Sequence, residues 1–116
     1  MEKKDFEKSV VIDIEKSVEY ASDSIVSKTV LKKENGNITL FSFDKGQQLS
    51  EHTAPFDAMV VVIDGKGDVI LNKKRNSLKK GEMIIMPANI PHAVEATEKF
   101  KMMLIMIKEP KPVIMG

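Results

Sequence analysis

The feature that most constrains this chain is its punctuation: short apolar or alternating stretches, broken by turn residues roughly every 8 to 12 positions, with no sustained helical period. Ile25 to Leu31 reads as a strand. Glu34-Asn35-Gly36-Asn37 follows it, and Asn-Gly favours two-residue hairpin turns that need positive φ. Ile38 to Phe43 alternates as a half-buried strand does, and Asp44-Lys45-Gly46 closes it. Ala58 to Ile63 is predicted as a buried strand and Asp64-Gly65-Lys66-Gly67 as a turn. Asp68 to Leu71 then runs into the polar loop Asn72 to Asn76. Leu78 leads to a turn ending at Gly81. Met83 to Met86 stops at Pro87, and His92 to Ala96 and Phe100 to Ile107 complete the strand set. Near the start, Val10 to Ile14 fits a strand and Ile14 to Tyr20 fits a short helix. The tail from Lys108, with Pro110 and Pro112, should leave the sheet extended. Such a pattern predicts an all-β sandwich or barrel.

A length of 116 residues fits one domain. The formal net charge of +1 argues against a nucleic-acid or anionic-membrane binder, which would carry a basic excess. With no cysteine there are no disulfides, thiolate ligands or cysteine nucleophile. The longest apolar runs, Ala58 to Ile63 and Met102 to Ile107, fall far below the roughly 20 residues that span a bilayer. The charged start, Met1-Glu2-Lys3-Lys4-Asp5, carries no secretory signal pattern, so a cytoplasmic location is expected. Lys73-Lys74-Arg75 reads as a solvated turn, Gly65-Lys66-Gly67 lacks the helix a phosphate loop needs, and Ser50 and Ser77 have no triad partners in view.

The chain has two histidines, His52 and His92. Their flanks give each a context. Gly46, five residues, His52, and later Gly65 form one unit; Gly81, five residues, Pro87, then Asn89, two residues and His92 form another. The two units resemble the motifs of the cupin superfamily, in its small conserved-barrel (cupin 2) members. The first motif of that family reads Gly, five residues, His, one, His, three or four, Glu, six, Gly; the second reads Gly, five, Pro, one, Gly, two, His, three, Asn. The resemblance implies an antiparallel double-stranded β-helix, or jelly-roll barrel, as one domain over 1–116. The barrel motifs occupy about 38–107, with an N-terminal strand region at 1–31 and an extended tail at 108–116.

Metal-binding cupins take two histidines and a glutamate from the first motif and a histidine from the second. By position, Ala54 stands for the second histidine, Ala58 for the glutamate, Asn89 for the glycine and Ala96 for the asparagine. His52 and His92 remain as metal-ligand candidates, with Asp57 as a third if a bulge at Pro55 re-aims it. A divalent ion (Zn, Fe, Mn or Ni) needs more ligands than two imidazoles supply, so no cofactor is firmly implied. The expected site is a pocket for an unidentified small molecule at the barrel's open end. His52, Ala54, Ala58 and His92 lie on its wall, and Met59, Met83, Met102 and Met106 are candidates for its apolar lining. A metal-dependent enzyme of the dioxygenase or isomerase kind and a structural or regulatory subunit are the other two readings. Val10-Val11-Ile12 needs cover, and the resemblance implies a homodimer that exchanges or abuts N-terminal strands.

Overall fold

The computed structural model describes residues 6–109. Eight strands follow one another: β1 (Ile25–Lys33), β2 (Gly36–Phe43), β3 (Gln48–His52), β4 (Asp57–Leu71), β5 (Lys74–Lys79), β6 (Met83–Met86), β7 (His92–Glu95) and β8 (Phe100–Ile107). All pairings are antiparallel. One sheet runs β1-β2-β8-β4-β6 and the other β3-β7-β4-β5, so β4 belongs to both. The result is the curled antiparallel jelly-roll barrel that the motif register implies. Among the described residues no helix is long and apolar enough to cross a membrane.

The sharing of β4 corrects the sequence reading at Asp64 to Gly67. These residues form no turn but the middle of a fifteen-residue strand. A register shift between Val62 and Asp64 bends it from one sheet into the other. Bulges raise local twist and re-aim strands in this way. Gly67 is needed for proximity, since a Cβ there would lie 2.5 Å from the Phe100 ring. Gly36 is also a close-approach glycine. Neither it nor Asn35 has positive φ, and a Cβ on Gly36 would meet the Met106 carbonyl oxygen at 2.5 Å. The positive-φ hairpin sits instead at Asn72 (47°) and Lys73 (71°), so the expected polar loop shrinks to two residues and β5 begins at Lys74.

Strand alternation sorts the core. Phe43 pairs with Phe100, Phe41 with Met102 and Thr39 with Leu104, and Val62 and Val60 continue the last two rows across β4. Phe43, Val60, Val62, Phe100 and Met102 are buried inside the barrel, each side chain contributing about 1.5–3 kcal/mol of hydrophobic stabilisation. The end near Phe100, Gly67 and Ala96 is packed solid; the Phe43 and Phe100 rings stack at 4.7 Å.

The N-terminal segment forms neither strand nor helix between Phe6 and Ser24. Asp13 starts two short turns there, accepting the Glu15 amide at Oδ1, and they stop by Ser17. The segment is a strap across the outer face of the first sheet. Val18 is fully buried against Leu40 and Ile63, with Phe6, Val26, Val61 and Met103 around them. Polar ties secure it: Ser42 Oγ donates to the Glu19 carbonyl (2.7 Å), Tyr20 Oη to Asp64 (2.6 Å) and Lys101 Nζ to the Glu15 carbonyl (2.6 Å). Burial, then the Asp64 hydrogen bond and charge, push the Tyr20 hydroxyl well above its ordinary pKa, while Asp64 is held low chiefly by that hydrogen bond. The expected extended course of the chain from Pro110 lies outside the described residues.

Candidate functional site

The barrel's other end carries both histidines. On β7, His92 shares the interior face with the core residue Val94 and is buried. On β3, Leu49 faces the core opposite Val94, and plain alternation would then turn His52 outward. A register shift between Leu49 and His52 brings His52 opposite His92 instead. The rings meet edge to face, centroids 4.2 Å apart, with Nε2 to Nε2 at 3.1 Å. His92 is the buried member, and His52 is exposed at the rim.

Each ring is oriented by its own backbone. His52 Nδ1 donates to the Ser50 carbonyl (2.8 Å) and His92 Nδ1 to the Ile90 carbonyl (3.1 Å). A carbonyl oxygen only accepts, so both rings carry their N–H on Nδ1, and both Nε2 atoms present lone pairs to each other. Two lone pairs at 3.1 Å repel. A proton between the two Nε2 atoms would turn the repulsion into a charge-assisted hydrogen bond.

Ala58, expected on the same wall as the histidines, stands instead on the facing one, in the first sheet, where it pairs with Met106 on one side and Met86 on the other. Ala58 and Met86 are buried, Met106 packs against the core, and Met102 lies deeper. Leu71 pairs with His92 on β4. Met86 and Leu71 were not among the expected lining residues; alternation from Val69 would have placed Leu71 inside, whereas only the pairing with Ala58 places Met86 there. Ala54 lies in the β3–β4 loop, where its carbonyl accepts the Asn89 amide (2.7 Å) and ties that loop to the β6–β7 loop. Asn89 has φ 63°, which asparagine tolerates where the family motif has glycine.

Two lining candidates are corrected. Met59 lies between the interior residues Ala58 and Val60 and pairs with Ile105 and Ile85 on the barrel's outer face. Met83 shares that face opposite Val61 and is 47% exposed. Asp57 is corrected as a metal ligand. It stands on the face opposite Ala58, and its Oδ1 accepts the Ala88 amide at 2.8 Å. There it borders an outer cleft of about 570 Å³ with Phe56, Ile107 and Lys108. Among the described residues no group of three or more His, Asp or Glu side chains could hold a metal ion. Two imidazoles, two alanines and a committed Asp57 do not fit a resident divalent ion, which takes at least three protein ligands.

Residues 39–108 match the family model described as "Cupin domain". The chain belongs to the cupin family. A conserved protein of unknown function from Streptococcus pyogenes is similar at 34% identity, covering 93% of this chain and 95% of that one, with a TM-score of 0.88. A cupin 2 conserved barrel domain protein from Leptotrichia buccalis is 49% identical over 81% of this chain, with a TM-score of 0.79. The match takes up 46% of that longer cupin. An uncharacterized protein of Aquifex aeolicus is 28% identical over 101 residues, 85% of this chain and 84% of that protein.

Proposed function

We propose that this cupin is a single-domain small-molecule binder whose barrel mouth takes a partly apolar ligand carrying one anionic or polar group. The observation that carries the reading is the histidine pair: two convergent Nε2 atoms, both N–H groups turned to backbone, set against an apolar wall. A proton taken up by the imidazole pair gives a carboxylate a positive charge to bind against. Ala54 and Ala58, small where the metal-binding relatives of the fold carry ligands, leave the ligand room. His52, exposed at the rim, is the entry contact, and His92 is the fixed one. A resident divalent ion is no part of the reading, and neither is catalysis.

The test is a thermal-shift screen of small carboxylates on wild type and on His52→Ala/His92→Ala. Wild type should gain Tm with at least one acid, while the double variant stays folded and gains none. Equal shifts in both proteins would refute the reading. Elemental analysis of protein purified without a metal-affinity step belongs beside it, since a stoichiometric transition metal would revive the enzyme reading.

A second proposal concerns assembly. The outer face of the first sheet is only half covered by the strap. Met83, Ile85 (57% exposed) and Leu31 remain open, as do Val10, Val11 and Ile12 of the strap itself. Patch and apolar segment on one chain suit a homodimer in which each copy covers the other. Light scattering at micromolar concentration should give twice the chain mass; a monomer mass would refute it.

A further inference from the structure

Among the described residues one buried side-chain polar atom has no hydrogen-bond partner, Oδ1 of Asn37. Buried acceptors are almost always paired, and one left alone has lost its hydration without compensation. Its position in the fold gives it meaning. β2 pairs with β8 in unbroken register from Gly36 to Phe43, so Asn37 lies on the same interior face as Thr39, Phe41 and Phe43. Its partner across the sheet is Met106, and the row continues through Ala58 to Met86. That row is the wall facing the histidine pair. The barrel mouth therefore carries polar groups on both sheets, a histidine pair on one and an unsatisfied acceptor on the other.

We propose that Asn37 is the specificity-determining residue of the pocket, and that the ligand is a small carboxylic acid bearing an O–H or N–H donor away from its carboxylate. The inference rests on the pocket reading above and deepens it. The carboxylate meets His52 and His92, the apolar body lies on Ala58 and Leu104, and the donor satisfies Asn37 Oδ1. Met106 is the side chain that yields. It is unbranched and packs only at the edge of the core, so it can move aside without a cavity opening behind it. A site that supplies a buried acceptor rejects analogues lacking the matching donor, because those leave the acceptor unpaired.

The experiment uses three acids built on one five-carbon chain, pentanoate, 5-hydroxypentanoate and 5-methoxypentanoate, titrated into the full chain and followed by NMR. Wild type should bind the hydroxy acid at least about tenfold more tightly than pentanoate, with the methoxy acid no better than pentanoate because it cannot donate. Asn37→Leu should abolish the preference while still binding pentanoate, and its ligand-free Tm should rise by a few degrees as the unpaired acceptor is removed. Asn37→Val gives the same comparison if leucine proves too large to fold. Equal affinities for the three probes in wild type, or an unchanged preference in both Asn37 variants, overturn the role of Asn37 and leave the pocket standing. If the probes bind His52→Ala/His92→Ala as tightly as wild type, the pocket reading itself has failed, and this inference with it.

Discussion

Gly67 and Phe100 allow a stability prediction whose sign reverses with background. A Cβ on Gly67 would lie 2.5 to 2.6 Å from Cζ, Cε1 and Cε2 of Phe100. Phe100 is 1% exposed, lies 2° from parallel on Phe43, and its backbone is pinned against Gly65. The ring has no free direction to move. Gly67→Ala should therefore cost about 1–3 kcal/mol of overpacking, less about 0.4–1 kcal/mol recovered from the stiffer unfolded chain. Phe100→Leu deletes the three ring atoms that collide. Alone it should cost about 2 kcal/mol, at roughly 0.8 kcal/mol for each buried carbon lost. Adding Gly67→Ala to Phe100→Leu should then be neutral or stabilising by up to about 1 kcal/mol. Urea unfolding of the four proteins measures the cycle, with m held constant as the check that only stability changed. A coupling near 2 kcal/mol is expected. If Gly67→Ala costs the same in both backgrounds, or nothing in wild type, the ring is not what forbids a side chain there.

Tyr20→Phe should cost about 1–2 kcal/mol by removing the donor to the Asp64 carboxylate, and limited proteolysis should then cut the strap sooner. Burial pushes the Asp68 carboxyl up, but hydrogen bonds from Ser77 and Arg75 and the charges of Arg75 and Lys66 outweigh it, and the group sits below its ordinary range. A depressed folded pKa stabilises the fold above the unfolded value near 3.9 and loses that contribution as pH falls below it. The stability gap between wild type and Asp68→Asn should therefore close on acidification below about pH 4, and a pH-independent gap would refute the assignment. Ile85→Lys should halve the mass seen by light scattering without lowering the Tm of the barrel.

The strands were legible from their lengths and their ends. Ile38 to Phe43 reads as a strand although both its faces are covered, by the core at Phe43 and by the strap at Leu40 and Ser42; Met83–Met86 and Phe100–Ile107 end where turn residues say they should, and the two glycine-bounded histidine units carried the barrel topology. The reading failed where a residue serves contacts remote in sequence. Gly65 and Gly67 look like a turn because glycine usually marks one, but here Gly65 takes φ 71° within a continuous strand and both make room for the chain at Lys99 and Phe100. Met59 and Met83 share their residue type with Met102 and Met106, and only register tells the outer face from the inner. The Asp13 turns look like a helix start because their spacing is local, while what holds the strap, Val18 on Leu40 and Lys101 on Glu15, is not. Asn37 carried no signal in the sequence, since an unpaired acceptor is defined by what surrounds it.

Because β4 runs through both sheets, neither can melt while the other survives. Opening the first sheet breaks the ladders of β4 to β6 and β8, and the same strand carries those of the second sheet to β5 and β7. The amides of Val60 and Val69 lie on its two halves. They should exchange with solvent at one common rate set by whole-molecule opening rather than by separate local events. A ligand held at the mouth would slow that exchange at Val69 as much as at Val60, so occupancy of the pocket can be read from the protection of either half of β4.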